Sequence, residues 1–196
     1  MKKRMLLVAW LGCIAMSASA RQPHADQISK QEWNFDGCHF MLTDLYGGRT
    51  TRPEGALYIA NINPLARHPF DTSIQFSCEN PASAKTYLDL AGIRMTGKEW
   101  ALDPSPENVG LKEQRTTFQA LRGKGWAGGG VTQDDINGDE QRRTRIYAFC
   151  IPHNQLALCG VVRHVGYLMW PKETTLPQVI KLLESIEFID SSEPSN

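Results

Sequence analysis

Two cysteines nine positions apart, in a stretch typical of a β-hairpin, place the strongest constraint on the fold of this chain. Residues 145–151 are rich in β-branched and aromatic side chains, 152–155 are turn-forming, and 156–162 read as a second strand. With 153–156 as a four-residue loop, Cys150 lies directly opposite Cys159. Opposed Cβ atoms on antiparallel strands are about 4.5–5.5 Å apart, slightly wide for a disulfide but reachable. The stretch therefore predicts an antiparallel hairpin with a disulfide across it.

The N-terminus has the pattern of an exported protein. Residues 2–4 are basic, 5–16 are apolar, and Ala18-Ser19-Ala20 is a small-x-small cleavage motif. We therefore predict a signal peptide over 1–20 and a periplasmic or secreted protein. No later stretch approaches the roughly 20 apolar residues of a membrane helix, so no transmembrane segment is expected after signal removal. Lipoprotein anchoring at Cys13 is the alternative, because the residues before it resemble the end of a lipobox.

The charge balance and the cysteine count bound the class of function. The chain has 21 basic and 21 acidic residues, and loss of the three basic residues of the signal segment makes it mildly acidic. That balance argues against a nucleic-acid partner. Four cysteines remain, an even number that predicts two disulfides in an oxidising compartment. Three pairings exist; the hairpin favours Cys150 with Cys159, which leaves Cys38 with Cys78.

A zinc site is the competing interpretation of these cysteines. His39, His153 or His164 would have to complete it, but no C-x-x-C or H-x-x-x-H spacing supports such a site. We therefore predict neither a metal nor a cofactor.

The rest of the chain predicts a single α+β domain, mainly antiparallel sheet with two helices packed on it. Asn80 and Pro81 are helix-start signals for a helix at about 81–91. A second helix at about 175–186 follows from an apolar stripe at helical spacing. Predicted strands lie at 38–42, 56–62, 73–78, 109–112, 116–121, 126–132, 143–151 and 156–165, with loops at 46–55 and 97–108. The domain spans 35–190, between a polar arm at 21–34 and a disordered tail at 191–196.

The charged stretch 132–145, "TQDDINGDEQRRTR", is the most unusual segment. It fails as an EF-hand calcium loop, because Thr144 replaces the bidentate Glu and arginines flank it. Asn137-Gly138 instead predicts a tight hairpin turn, with acids facing basic residues across the ladder. Three interpretations stay open: a solvated hairpin tip, a protrusion that binds a partner, and a cation site of another type.

Trp126 lies among glycines at the start of the strand that leads into this hairpin. Glycine in a strand marks a bulge or a close approach of another backbone or a ligand. Trp126 is therefore either a core anchor or a contact residue at a recognition surface. The candidate partner-binding residues are Trp126, Asp134, Asp135, Asn137, Asp139, Glu140, Arg142 and Arg143.

Enzyme signatures do not occur in the sequence. It has no G-x-S-x-G, H-E-x-x-H, phosphate-loop or dinucleotide motif. Asp36, Asp44 or Asp71 near His39 would be the remaining acid–base candidates. No catalytic residue is assigned.

The segments "GKGWAGGGVTQDDINGDEQRRTRIYAFC", "ALCG" and "LLESIEF" together resemble an uncharacterised group of small exported bacterial proteins. The last segment is also similar to the end of the PsbP-like α-β-α sandwich. The resemblance covers roughly the last 75 residues and implies an exported binding or accessory module rather than a catalyst.

The favoured hypothesis is a periplasmic protein that binds another protein of the cell envelope, for example an inhibitor or immunity-type factor against an envelope-acting enzyme. One alternative is an envelope accessory protein that binds a small ligand or a cation. A second is a hydrolase without a recognisable motif.

Overall fold

The computed structural model describes residues 28–51 and 56–190, which contain twelve strands and three α-helices. The strands are β1 (Ser29–Phe35), β2 (Cys38–Asp44), β3 (Arg49–Thr51), β4 (Ala56–Ala60), β5 (Thr72–Glu79), β6 (Ile93–Thr96), β7 (Glu99–Leu102), β8 (Thr117–Gly123), β9 (Trp126–Asp134), β10 (Thr144–His153), β11 (Leu156–Tyr167) and β12 (Glu187–Phe188). The helices are α1 (Ala84–Ala91), α2 (Pro106–Val109) and α3 (Leu176–Glu184). The predicted signal peptide, residues 21–27 of the arm and the tail 191–196 lie outside the described residues.

The strands form three antiparallel sheets. The largest has seven strands in the order β3-β4-β5-β11-β10-β9-β8. A three-stranded sheet has the order β1-β2-β12, and β6 pairs with β7. This arrangement confirms the predicted α+β class with a mainly antiparallel sheet. No helix among the described residues is long and apolar enough to cross a membrane.

The main core lies between one face of the seven-stranded sheet and a layer made of β1, β2, β12 and α3. Successive side chains of a strand point to opposite faces of the sheet, so each strand contributes every second residue to this core. In β5, Ile74 and Phe76 are buried while Gln75 between them is exposed. From α3, Val179 and Leu183 of the predicted apolar stripe are fully buried in this core. Helix α1 and the β6–β7 hairpin cover a second, smaller cluster that includes both cysteines of the β10–β11 hairpin. Both predicted helices therefore pack on the sheet.

Both predicted disulfides are present. Cys150 and Cys159 are paired residues of β10 and β11, with Cα atoms 4.0 Å apart. The turn is shorter than predicted, because the strands continue to His153 and Leu156, but the register is the same. Cys38 and Cys78 join β2 to β5, with Cα atoms 5.7 Å apart. Two disulfides fit an oxidising compartment.

The N-terminal part of the domain corrects the predicted polar arm. Residues 29–34 lie in β1, which pairs with β2 along its whole length. Trp33 is the physical reason, since its ring is buried and stacks on Phe40 with centroids 6.0 Å apart. One buried aromatic residue anchors a strand whose other side chains are mostly polar.

The start of the first helix was predicted too early. Ser83 is the N-cap, and its Oγ accepts a hydrogen bond from the Thr86 backbone N–H at 3.2 Å. The Thr86 hydroxyl in turn accepts from the Ser83 N–H at 3.0 Å. This reciprocal capping box satisfies two helix-end donors, so α1 begins after Asn80 and Pro81.

Residues 97–114 also differ from the prediction. The expected loop 97–108 contains β7 and most of α2, and the expected strand 109–112 is wrong. Val109 ends α2, and Lys112–Gln114 form a 3-10 turn. Val109 and Leu111 are both exposed, so their apolar alternation does not reflect a sheet.

Candidate functional site

The connection between β9 and β10 is a nine-residue loop, 135–143, rather than the predicted tight turn. The antiparallel hairpin itself is confirmed, and Asp134 faces Arg145 across it. Gly138 has a positive φ of 71°, as the Asn-Gly pattern indicates. A 3-10 turn at Glu140–Arg142 follows. The remaining acids and arginines therefore meet within the loop instead of facing each other along a ladder.

A buried carboxylate closes the base of this loop. Asp134 is 1% exposed and accepts hydrogen bonds from Arg145 Nε at 2.6 Å and Arg145 Nη2 at 3.1 Å. Arg115 Nε donates to the same carboxylate at 2.5 Å. The group joins the segment before β8 to the hairpin. Asp134 is therefore a structural residue and offers no side chain to a partner.

The loop is ordered by its own side chains. Asp135 Oδ1 accepts from the Asn137 N–H at 2.9 Å, and Asp139 Oδ1 accepts from the Gln141 N–H at 3.0 Å. These short-range bonds take the place of a tight turn. Arg142 lies 4.0 Å from the Asp139 carboxylate in an exposed ion pair. The loop thus holds a defined shape while its charged groups remain in solvent.

The predicted contact residues divide by exposure. Asn137, Asp139, Glu140 and Arg142 are exposed, and Asp135 and Arg143 are half-buried. These six residues of the candidate set remain accessible on the loop.

Trp126 is a core residue in the structure. It is 9% exposed, and its Nε1 donates to the Ile186 carbonyl at 2.9 Å. Its ring covers Gly123, the paired residue of β8, where a Cβ would lie 2.2 Å from the ring. Glycine at 123 makes room for the indole, and a Cβ at Gly130 of β9 would likewise lie 2.4 Å from the Ala148 carbonyl oxygen. The close approaches that the glycines predict are made by this chain's own sheet.

A groove with a volume of about 580 Å³ lies beside the loop. Its lining combines apolar and charged side chains: Glu113, Arg115, Ile136, Glu140, Arg143, Leu168 and Met169. Met169 is 53% exposed. The backbone N–H of Leu168 donates to the Arg143 carbonyl at 3.0 Å, which fixes the turn after β11 against the end of the loop.

Arg143 brings a positive charge to this groove. Its Nη1 lies 3.6 Å from a Glu140 carboxylate oxygen, and its Nη2 donates to the Gly138 carbonyl at 3.4 Å. Its Nε is buried without a hydrogen-bond partner. The Arg143 side chain as a whole is 28% exposed and lines the groove, so its positive charge is available to a ligand there, although the buried Nε is not.

Sequence reasoning missed five groove residues: Ile136 within the loop, and Glu113, Arg115, Leu168 and Met169. The last four come from segments before β8 and after β11, far from 135–143 in sequence. The signal that was available is Leu168-Met169-Trp170-Pro171, an apolar run just beyond a strand. These segments come together because β8, β9, β10 and β11 are successive neighbours in the sheet.

The acid–base candidates do not assemble into a catalytic group. His39 Nε2 lies 2.7 Å from Glu32 Oε1, and no hydrogen bond or ion pair between described residues joins it to Asp36, Asp44 or Asp71. Asp71 pairs with Arg49 at 3.5 Å. Among residues 28–51 and 56–190, no group of three or more His, Cys, Asp or Glu side chains is arranged to hold a metal ion.

Asp44 has a structural role. Its carboxylate accepts from the Tyr58 hydroxyl at 2.7 Å and from the backbone N–H groups of Tyr46 and Gly48 at 2.8 and 2.7 Å. Burial, together with the hydrogen bond between Tyr58 and Asp44, raises the pKa of the Tyr58 hydroxyl above its usual value. The arrangement fastens the turn after β2 to β4.

No family model matches this sequence, and no curated protein is similar to it. The loop and the groove are therefore the basis for a functional assignment.

Proposed function

We propose that this chain is an exported module that binds another protein of the cell envelope through loop 135–143 and the groove beside it. Export is supported by the basic, apolar and small-x-small pattern of residues 1–20 and by two disulfides. The resemblance to exported bacterial proteins and to the PsbP-like fold is part of the same proposal. A helix followed by a short strand, both against an antiparallel sheet, supports the resemblance to the PsbP-like fold.

The observation that carries the proposal is the composition of the groove. Arg and Met are enriched at protein interfaces, and charged side chains are more frequent at their rims. Met169 and Leu168 supply apolar surface, Arg143 supplies a partly exposed positive charge, and exposed charges of the loop border them. The groove contains two arginines and two glutamates, so it matches a partner segment with an apolar side chain flanked by charges of both signs.

The concrete version is an inhibitor or immunity-type factor against an envelope-acting enzyme. Two features support it. Two disulfides connect the strands of the scaffold, and Asp134 with two arginines fixes the base of the loop. A pre-organised surface loses little conformational entropy on binding, which favours the tight complexes that inhibition requires.

Affinity capture from native envelope and secreted fractions tests the proposal, with the tagged protein as bait. The test variant exchanges charges within the loop, Glu140→Arg with Arg142→Glu, so its net charge is unchanged. The matched control exchanges an exposed pair in the β6–β7 turn, Lys98→Glu with Glu99→Lys. We expect one stoichiometric partner that the wild type and the control retain and the loop variant loses. Equal retention by both variants would contradict the proposal.

A further inference from the structure

A second cavity, of about 570 Å³, adjoins the groove and shares Met169 with it. It is formed where the loop 61–71 meets the turn after β11. Its lining residues are Arg67, His68, Met169, Trp170, Pro171, Lys172 and Glu173. None of them belongs to loop 135–143.

An ordered group of three side chains forms one wall. The His68 ring stacks on Trp170, with centroids 3.5 Å apart and planes 9° from parallel. Glu173 Oε2 lies 3.1 Å from His68 Nδ1 and also accepts from the His68 backbone N–H at 3.1 Å. The negative charge of Glu173 is thus engaged inside the wall, and His68 is held with Nε2 as its remaining polar atom.

Two cations at this cavity have no counter-charge. Neither Arg67 nor Lys172 takes part in an ion pair with any described residue, and both are exposed. Two such cations beside an imidazole suit an oxyanion, because Lys and Arg both bind phosphate.

Exposed apolar side chains lie close by in the same two segments. Leu65, two residues before Arg67, is 95% exposed, and Met169 is 53% exposed. Leu and Trp beside Lys and Arg are the combination that lies at the boundary between lipid headgroups and acyl chains. Basic residues there are attracted to anionic lipids.

We propose that this end of the molecule binds an anionic phospholipid surface. A headgroup phosphate occupies the cavity between Arg67 and Lys172, and Leu65 enters the interfacial layer. The cavity contains no residue of loop 135–143, although it shares Met169 with the groove beside that loop.

Co-sedimentation with vesicles tests the proposal, with phosphatidylglycerol mixed into phosphatidylcholine and with phosphatidylcholine alone. The wild type should bind only the anionic vesicles. Arg67→Gln with Lys172→Gln should weaken binding roughly 30-fold, and Leu65→Ser should weaken it roughly tenfold. Circular dichroism establishes that each variant is folded.

The matched control removes one Arg and one Lys elsewhere, Arg122→Gln with Lys98→Gln. Both are exposed; Arg122 pairs with Ala127 near the opposite end of the sheet, and the hairpin of Lys98 reaches the same Ala127 through Trp100. This variant should bind the vesicles as the wild type does.

Three results would overturn the proposal. One is an absence of binding to anionic vesicles. Another is equal weakening by the control pair, which would indicate a general charge effect. The third is binding of soluble glycerol phosphate, lost in the Arg67/Lys172 variant, without vesicle binding, because the ligand would then be a free phosphate. Loop variants that lose a protein partner should keep vesicle binding, so the two proposals fail separately.

Discussion

The two connections of strand β10 differ in almost every physical respect. At one end, His153 and Leu156 close a two-residue turn, and a disulfide joins the buried Cys150 and Cys159 nearby. At the other end, nine residues with exposed charges separate β9 from β10. Covalent and apolar contacts stabilise the first connection, whereas one carboxylate holds the base of the second. Because its tip contributes little to the core, the second connection is free to serve binding.

Replacing Asp134 should give the largest effect at the loop end. Asp134→Ala leaves Arg115 and Arg145 side by side without their shared, buried counter-charge. Three charge-assisted hydrogen bonds are lost, but both arginines are partly exposed to solvent, so the cost in the free energy of unfolding should be about 3 kcal/mol, the low end of the range for a buried pair. Urea denaturation measures this loss in the free energy of unfolding. The control is Glu113→Ala, which removes an exposed acid nearby and should cost about 0.5 kcal/mol or less. A cost below about 1 kcal/mol for Asp134→Ala would mean that the carboxylate does not hold the loop.

The order of the two disulfides tests the hairpin end. Cys150→Ala with Cys159→Ala opens a loop with a sequence separation of 9, which costs about 3 kcal/mol by the chain-entropy relation. Cys38→Ala with Cys78→Ala opens one with a separation of 40 and should cost about 1 kcal/mol more. Thermal and urea unfolding of both double variants give the comparison. The reverse order would show that the hairpin disulfide contributes more than loop closure.

His164 on β11 should make stability depend on pH. Burial lowers the pKa of its ring, its Nε2 is buried without a partner, and the ring stacks on Phe70 with centroids 3.8 Å apart. The unfolded chain therefore binds a proton more readily than the folded one. Stability should fall as the pH drops through the window below about 6.5 and be unaffected by this group above it.

His164→Phe keeps a planar ring and removes the titrating group. The free energy of unfolding should then vary less between pH ~5 and pH ~7.5 than in the wild type. Identical pH dependence in the two proteins would place the proton uptake elsewhere.

Single alanine substitutions on the loop should have the smallest effects on stability. Glu140→Ala and Arg142→Ala each remove an exposed ion-pair member, and such pairs are worth about 0–1 kcal/mol. Urea denaturation should therefore show shifts below about 0.5 kcal/mol. Larger shifts would mean that the tip of loop 135–143 stabilises the fold. The two connections of β10 would then differ less in their contribution to stability.

Local patterns predicted the hairpin between β10 and β11 well, because the strand periodicity, the turn residues and the opposed cysteines all lie within residues 145–162. The register of Cys150 with Cys159 follows from them directly. The groove was not predictable in this way, since Arg115 and Met169 reach it through pairings across the sheet. Asp134 was misassigned for a related reason: its charge suggests exposure, whereas Arg115, from outside the hairpin, makes burial tolerable.

The most direct test of the central claim is site-specific photocrosslinking in living cells, with a photoreactive phenylalanine at position 140 and, as the control, at position 98. Both positions are exposed in the structure. Binding through the loop predicts a crosslinked species of discrete mass from position 140 and none from position 98. No crosslink at position 140, or the same species from both positions, would contradict the assignment of loop 135–143 as the binding surface.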